Sequence, residues 1–352
     1  MLLSPPFPIS VDQLDPSFLG AALGVHVTGF TTQRIGADRG MLGEIFVVAL
    51  DTTEGPRSIV AKFAALREEA LTTARHGRTN ERELRCYDEL LPSTPVRTPT
   101  CHGTWYDPDT AHFCLLQDVV ETDTDVDQVV GLTAEQAALV IGELAPLHAR
   151  WWRDEAVLGL DWLPRLDGPG RTGNLHRLAQ AGWAPLCELM GDDFDDAERR
   201  LGDRFADRLV AKLGAVASLP STLIHSDLRA DNLLFAPDGS TVSLVDWQGC
   251  GVGPPGFDLA YLLSSSLPVE VRREHEDALL DEYRGLLAHQ GVDLTAEQVR
   301  AGYGESMHYG LAIGCALPII SDPTEVRVAE LARVVTRRSI EALRDNGQLW
   351  ET

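Results

Sequence analysis

The chain has 352 residues, 44% of them hydrophobic and 24% charged, which is typical of a globular protein of about two domains. Its formal net charge of −23 argues against nucleic-acid binding, which requires a basic surface. No apolar run approaches the roughly 18 residues of a membrane helix, and the N-terminal residues lack a secretory signal pattern. We therefore expect a cytoplasmic protein with no nucleic-acid or membrane partner, and the oligomeric state stays open.

The first third of the chain is predicted to form a mostly antiparallel sheet interrupted by one helix. Residues 9–24 are typical of a short leading helix. The polar stretch "TNERELRCYDELL" (79–91) predicts the inserted helix, which ends at Pro92. Five runs bounded by turn residues predict strands: 25–35, 43–51, 58–64, 100–106 and 112–119.

After Val119 the pattern becomes helical. Two of the helices begin with a Thr-x-x-Gln capping box, at residues 133 and 295. In this half only "LIHSDLRADNLLFAPDGSTVSLVDWQG" (223–249) has the pattern strand, loop, strand, turn, strand. The acidic segment "ETDTDVDQ" lies where the strand patterns end and the helical patterns begin, so the domain boundary is predicted there.

Residues 223–249 carry acids beside apolar runs, and carboxylates in such places are costly unless they are paired. Either these acids cap turns or they hold a cation. Asp227 and Asn232 lie on one loop with the spacing H-x-D-x-x-x-x-N, and Asp246 follows on the next strand. These are the hard oxygen ligands that Mg²⁺ prefers. Phosphoryl transfer from ATP needs such ligands and one carboxylate that orients the attacking hydroxyl.

This motif, with "VDWQGCGVGPPGFDLAYLL" and "LAPLHARWW", resembles the protein-kinase-like small-molecule kinases, namely aminoglycoside phosphotransferases, choline kinases and, most closely, ecdysteroid-kinase-like enzymes. The resemblance implies an α+β, protein-kinase-like fold of two lobes. Residues 1–119 would form a small nucleotide-binding lobe, an antiparallel sheet with one key helix, and 120–352 a larger, mostly helical catalytic and substrate-binding lobe. It also implies Asp227 as the catalytic aspartate, Asn232 and Asp246 as metal ligands, and ATP and Mg²⁺ as cofactors.

A kinase of this type also needs a lysine on the third strand, held by a glutamate of the following helix. Lys62 in "SIVAKFA" is one of only two lysines among the 30 basic residues. Glu83 matches the family spacing of four residues before Tyr87, and Glu81 is its competitor on another helix face. The alternatives are a strand-end lysine that reaches to solvent and a solvated helix glutamate.

Two further nucleotide contacts follow from the resemblance. The phosphate-covering loop would be "RIGADRGMLGEIF", with Gly36 and Gly40, although it lacks the G-x-G-x-x-G pattern and a glycine-bearing hairpin explains it equally well. "FCLLQDV" resembles the linker that binds adenine through main-chain groups, which places Gln117 and Val119 there. An ordinary last strand is the alternative for that segment.

The hypothesis from these residues is ATP- and Mg²⁺-dependent phosphorylation of a small-molecule hydroxyl. Protein kinases have arginine where Ser226 stands, and the roughly nine residues between Gln248 and Asp258 are too few for an activation segment. A protein substrate is therefore not expected. The first candidates for the acceptor are an antibiotic or another natural product, followed by choline-like, sugar or steroid alcohols. A nucleotide-binding pseudokinase and a metal-dependent hydrolase are the competing functions.

Several other polar residues receive structural interpretations. The resemblance implies that Asp258 braces the catalytic loop from a helix start. His148 lies near the apolar face of its helix, which favours a packed, hydrogen-bonded histidine over a catalytic base. A group of three acids either borders the acceptor and attracts a cationic group or only solvates a loop: Asp123, Asp125 and Asp127.

Overall fold

Five antiparallel strands form the sheet in the first part of the chain, in a computed structural model that describes residues 7–35, 43–122 and 126–349. In chain order they are β1 (Val27–Ile35), β2 (Gly43–Thr52), β3 (Gly55–Ala64), β4 (Cys101–Tyr106) and β5 (Phe113–Asp118). Their order across the sheet is β1-β2-β3-β5-β4, and all neighbours are antiparallel. The predicted antiparallel sheet is confirmed.

Strand β3 explains why Lys62 is available for chemistry. Side chains alternate between the two faces of a strand. Ile59, Ala61 and Phe63 have 0% exposure and belong to the apolar core of the sheet. Lys62 therefore points to the opposite face, and its neighbours across the ladder are Ile45 of β2 and Leu115 of β5.

The leading helix is shorter than the predicted segment 9–24. Helix α1 spans Pro16–Leu23, after a 3₁₀ turn at Val11–Gln13. The Asp15 side chain accepts the backbone N–H groups of residues 17 and 18 at 2.8 and 2.9 Å, which caps the helix. Proline at the first helical position favours a start at this point.

The helical insertion of the sheet also differs from the prediction of one helix over 79–91. The structure has two helices, α2 (Glu68–Gly77) and α3 (Thr79–Arg85), separated by Arg78 at φ +50°. A π-helical turn continues α3 over Cys86–Leu90, and a 3₁₀ turn containing Pro92 ends it. Helix α2 was not predicted because most of its residues are polar, and only three of its ten residues are buried.

The second part of the chain is mostly helical, as predicted. Its helices are α4 (Ala134–Arg150), α5 (Glu155–Leu158), α6 (Pro169–Met190), α7 (Asp196–Arg200), α8 (Gly202–Val216), α9 (Gly256–Tyr261), α10 (Val269–His289), α11 (Ala296–Ser306), α12 (His308–Ile320) and α13 (Val326–Asp345). Both predicted capping boxes are present, at Thr133 and Thr295. In the described ranges, no helix is long and apolar enough to span a membrane.

Four short strands lie among these helices. Strands β6 (Thr222–Ile224) and β9 (Gly251–Gly253) pair antiparallel, and β7 (Leu233–Phe235) pairs with β8 (Val242–Leu244). The described residues group into two compact units. The first contains residues up to Thr122 with 234–238 and 243–249, and the second contains 126–233, 239–242 and 250–349. The segments 234–238 and 243–249 follow residue 119 in sequence but group with the sheet, and the division into functional lobes stays a prediction.

Candidate functional site

The ammonium group of Lys62 lies in a cluster with two carboxylates of the first unit. It donates to both side-chain oxygens of Glu83 at 2.8 Å and to Oδ1 of Asp246 at 2.9 Å. The side chains of Lys62 and Glu83 are 13% and 3% exposed. Burial by itself lowers the pKa of Lys62, but the carboxylates of Asp246 and Glu83 outweigh it and raise that pKa above its ordinary value. Lys62 therefore stays protonated at neutral pH.

The register of α3 decides which glutamate reaches Lys62. Glu83 faces the lysine, whereas Glu81 pairs with Arg78 at 2.7 Å and with Arg85 at 3.5 Å. Residues two positions apart on a helix point to different faces. The structure thus places Glu83, and not its competitor, against Lys62.

Asp246 follows β8 with φ +66°, a left-handed conformation that residues other than glycine rarely adopt. Strained backbone of this kind clusters at functional sites. Oδ2 of Asp246 accepts from the Gln248 amide at 3.2 Å, and Nη1 of Arg82 donates to the Gln248 carbonyl at 2.7 Å. Arg82 thereby ties α3 to the turn after Asp246. Sequence reasoning missed Arg82, whose only signal is its place beside Glu83.

The two linker residues lie at the end of β5. Gln117 is 7% exposed, and its side chain lies beside the Tyr87 hydroxyl. Val119 is one residue past the strand and 38% exposed. Gln117 is paired in the sheet with residues of β3 and β4, whereas Val119 lies beyond the paired residues of β5. The predicted phosphate-loop residues Gly36 and Gly40 lie outside the described residues.

In the second unit, Asp258 of α9 braces the loop 225–232. Its carboxylate has 0% exposure and accepts the backbone N–H groups of His225 and Ser226, both at 2.7 Å. Ser226 has φ +67°, so the carboxylate fixes a strained backbone directly before Asp227. Asp258 thus has the bracing position that the resemblance implies.

His148 of α4 is packed behind this carboxylate. It has 0% exposure, and its ring nitrogens lie 3.2 Å from Oδ2 of Asp258 and 2.8 Å from the Tyr283 hydroxyl. Burial by itself raises the pKa of Asp258, but His148, His225 and the Ser226 N–H outweigh it and hold that pKa below its ordinary value. A packed, hydrogen-bonded histidine agrees with the interpretation from sequence.

We expect Asp258→Asn to lower the free energy of unfolding by about 2–4 kcal/mol. The NH₂ group of the asparagine would face one of the two buried backbone N–H donors, which would lose its acceptor, and the negative charge would be lost as well. The exposed Asp293→Asn is the matched control, with an expected change within about 0.5 kcal/mol. Because the folded state lowers the pKa of Asp258, its stabilisation is present above about pH 4 and is lost as the pH falls through the folded-state value. Urea unfolding at several pH values measures both effects, and an unchanged stability for Asp258→Asn would contradict the bracing role.

The candidate catalytic residue and one candidate metal ligand lie together on this loop. Nδ2 of Asn232 donates to the Asp227 carbonyl at 2.8 Å and to Oδ2 of Asp227 at 3.1 Å. Asn232 is buried at 4% exposure, and the Asp227 side chain is 23% exposed. With its nitrogen engaged, the Asn232 amide presents Oδ1 as an oxygen donor. Oδ1 of Asn232 and, in the first unit, the carboxylate of Asp246 are each a hard oxygen donor of the kind that Mg²⁺ takes together with substrate phosphates.

Sequence reasoning also missed Gln128, which supports the same loop. Its Oε1 accepts from the Ala230 N–H at 2.7 Å, and its Nε2 donates to the Ser265 carbonyl at 2.8 Å. Nη1 of Arg338 donates to the Gln128 carbonyl at 2.8 Å. Gln128 is 1% exposed, so this network is a buried support of the loop. No local motif marks it, because its partners are more than 100 positions away in sequence.

Of the three acids considered for attracting a cationic acceptor, the structure describes Asp127, and its carboxylate is bound to neighbouring groups of the protein. Asp127 accepts the backbone N–H groups of Val129 and Val130 at 2.7 and 2.9 Å and pairs with Arg327 at 3.4 Å. Asp123 and Asp125 lie outside the described residues. Asp127 therefore stabilises a turn.

The sheet with its lysine and glutamate and the helical part with its braced loop define a protein-kinase-like fold. A family model for the phosphotransferase enzyme family matches residues 43–294, more than two thirds of the chain. The chain belongs to this family, which confirms the resemblance identified from the sequence motifs.

Solved structures share the fold of this chain, and curated relatives match part of its length. Ethanolamine kinase from Plasmodium vivax has a TM-score of 0.57 at 14% identity, over 93% of this chain and 87% of that chain. Choline kinase from Cryptosporidium parvum has a TM-score of 0.56 at 12% identity, over 96% and 93%. The 4-hydroxytryptamine kinase of Psilocybe cyanescens is 28% identical over 184 residues, 49% of this chain and 48% of that protein. The alignments span less than half the length of each curated relative.

Proposed function

We propose that the protein is a small-molecule kinase that transfers the γ-phosphoryl group of ATP to a hydroxyl group in the presence of Mg²⁺. The observation that carries the proposal is the buried cluster of Lys62, Glu83 and Asp246. A kinase needs an ammonium group that binds the α- and β-phosphates and a nearby carboxylate that binds the metal. In this cluster Glu83 holds the ammonium, and Asp246 is the second carboxylate. Family membership supports the same reaction class.

In this proposal the first unit supplies the nucleotide contacts. Lys62, oriented by Glu83, binds the α- and β-phosphates. Its ammonium group is compact, and the larger, planar guanidinium of an arginine would not fit in its place. The main chain at Gln117 and Val119 binds adenine, and Gly36 and Gly40 belong to the loop that covers the phosphates. Bound Mg²⁺ would supply charge stabilisation for the β- and γ-oxygens.

The second unit supplies the residues for the chemical step. Asp227 accepts the proton of the acceptor hydroxyl as the hydroxyl oxygen bonds to the γ-phosphorus. The bond between the γ-phosphorus and the β,γ-bridging oxygen breaks, and ADP and a phosphate monoester result. Asn232 orients the Asp227 carboxylate and offers Oδ1 to the metal, as Asp246 offers its carboxylate. We propose an antibiotic or another natural product as the acceptor, ahead of choline-like, sugar and steroid alcohols.

The experiment that tests this function is a screen for ATP consumption with a chemically diverse panel of hydroxylated compounds, followed by mass analysis of the products. A phosphate monoester and an equal amount of ADP are expected for at least one compound class. ATP binding without transfer to any alcohol would indicate a pseudokinase. Phosphate release without ATP would indicate a hydrolase.

We expect Glu83→Gln to lower kcat/KM for ATP by about 10–100-fold, because Lys62 loses the partner that orients it away from Asp246. Glu81→Gln is the matched control on the same helix, since Glu81 pairs with arginines and not with Lys62. Initial rates at varied ATP concentration measure both variants. Equal losses in the two variants would show that helix α3, and not the ion pair, sets the rate.

A further inference from the structure

The guanidinium of Arg171, on α6, lies among neutral groups of the second unit. It donates to Oγ of Ser226. Its Cζ lies 5.7 Å from the ring centroid of Phe257 and 6.0 Å from that of Tyr309, within the range of cation–π contacts. A Cβ at position 251 would lie 2.6 Å from the Pro164 carbonyl oxygen and 3.3 Å from Nη1 of Arg171, so the guanidinium packs close to the Gly251 backbone.

No carboxylate lies within ion-pair distance of this guanidinium in the part of the chain that the structure describes. Arg171 forms no ion pair there with an Asp or Glu side chain, although the chain carries 53 acidic residues. Arg272 shows the contrast, because its guanidinium binds both Glu276 and Asp345. A half-buried guanidinium with only hydroxyl and ring partners keeps donors of its planar fork for an anionic ligand.

The position of this guanidinium relates it to the phosphoryl acceptor. Its partner Ser226 directly precedes Asp227 in the loop braced by Asp258. The same guanidinium contacts the Tyr309 ring, so Tyr309 and the residue that precedes the proposed base both lie beside Arg171. The Tyr309 ring is half-buried and held by Phe257 and Tyr261, with centroid distances of 4.7 and 5.1 Å.

We propose that Arg171 and Tyr309 form an acceptor subsite beside Asp227, so that the hydroxyl compound phosphorylated by this protein carries a carboxylate next to an apolar or aromatic ring. The guanidinium binds the carboxylate, and the ring packs on Tyr309. This inference rests on the proposed kinase function and specifies its acceptor. It differs from the alternative in which Asp123, Asp125 and Asp127 border the acceptor and attract a cationic group.

The test uses full-length protein, ATP and Mg²⁺ with hydroxyphenyl and hydroxymethylphenyl alkanoates, each paired with its uncharged primary amide. We expect kcat/KM to be about 10–100-fold higher for the acid than for the amide, because only the acid forms charge-assisted hydrogen bonds with the arginine. Arg171→Gln should abolish this preference and leave the KM for ATP unchanged. Arg171→Lys should keep part of it, because a point charge replaces the planar fork.

The matched control is Arg177→Gln, because Arg177 is exposed on the same helix and donates to Asn174. It should retain the full preference for the acid. If Arg171→Gln lowers the rates with acid and amide equally, or changes only the KM for ATP, Arg171 supports the loop or the transferred phosphate and the inference is wrong. It is also wrong if other alcohols are phosphorylated and no alkanoate is. Absence of transfer to every alcohol would instead overturn the proposed function itself.

Discussion

Asp227→Asn should lower kcat by about 10²-fold or more while ATP still binds, because the amide cannot accept the hydroxyl proton. The change is nearly isosteric. The bond from Asn232 to the Asp227 carbonyl at 2.8 Å involves the backbone, so the loop keeps its main anchor. The N–H groups that Asp258 binds belong to residues 225 and 226 and are not altered. Turnover measurements give kcat and nucleotide titration gives the affinity for ATP, and both are made on the same preparation.

Asp207→Asn serves as the surface control for this variant, since the Asp207 side chain is 88% exposed and pairs only with His176. It should leave kcat unchanged. The unfolding free energy of Asp227→Asn should stay within about 1 kcal/mol of the parent protein, because its charge is partly solvated. A rate close to that of the parent protein in Asp227→Asn would remove Asp227 from the chemical step.

Asp246→Asn should abolish Mg²⁺-dependent turnover, with a loss of at least about 10²-fold, because it removes the carboxylate of the proposed metal donor set. Lys62 loses the charge of its partner Asp246, although the asparagine Oδ1 can still accept from it, and it keeps both bonds of 2.8 Å to Glu83. The ammonium therefore stays paired, and the expected loss is specific to the metal. The dependence of the rate on Mg²⁺ concentration is the measurement that isolates it.

Asp238→Asn, at an exposed position in the turn between β7 and β8, is the matched control and should keep the parent dependence on Mg²⁺. Nucleotide titration without metal provides a second comparison, in which Asp246→Asn and the parent protein should bind alike. A normal Mg²⁺ dependence in Asp246→Asn would exclude this carboxylate from the metal site.

Much of the fold was predictable because its signals are local. Alternation in the β3 segment predicts that Ile59 and Phe63 point to the core, and the position of Lys62 follows from the same period. The capping boxes at Thr133 and Thr295 are predictable because a cap involves residues only three positions apart. Helix α2 was not predicted because most of its residues are polar, and the π-helical form of the turn that continues α3 was not predicted because helical periodicity does not distinguish it from an α-helix.

The sequence by itself determined the family, the candidate catalytic loop and the choice of Glu83 over Glu81, because motif spacing and helix register are properties of neighbouring residues. Only the tertiary structure decided which side chains surround that loop. Gln128 lies 102 positions from Ala230 and Arg171 lies 55 positions from Ser226, and contacts over such separations arise from the packing of helices that no local pattern encodes. Whether a charge such as that of Arg171 has a partner is set by its three-dimensional neighbours, so the proposed carboxylate subsite could not have been predicted from the sequence.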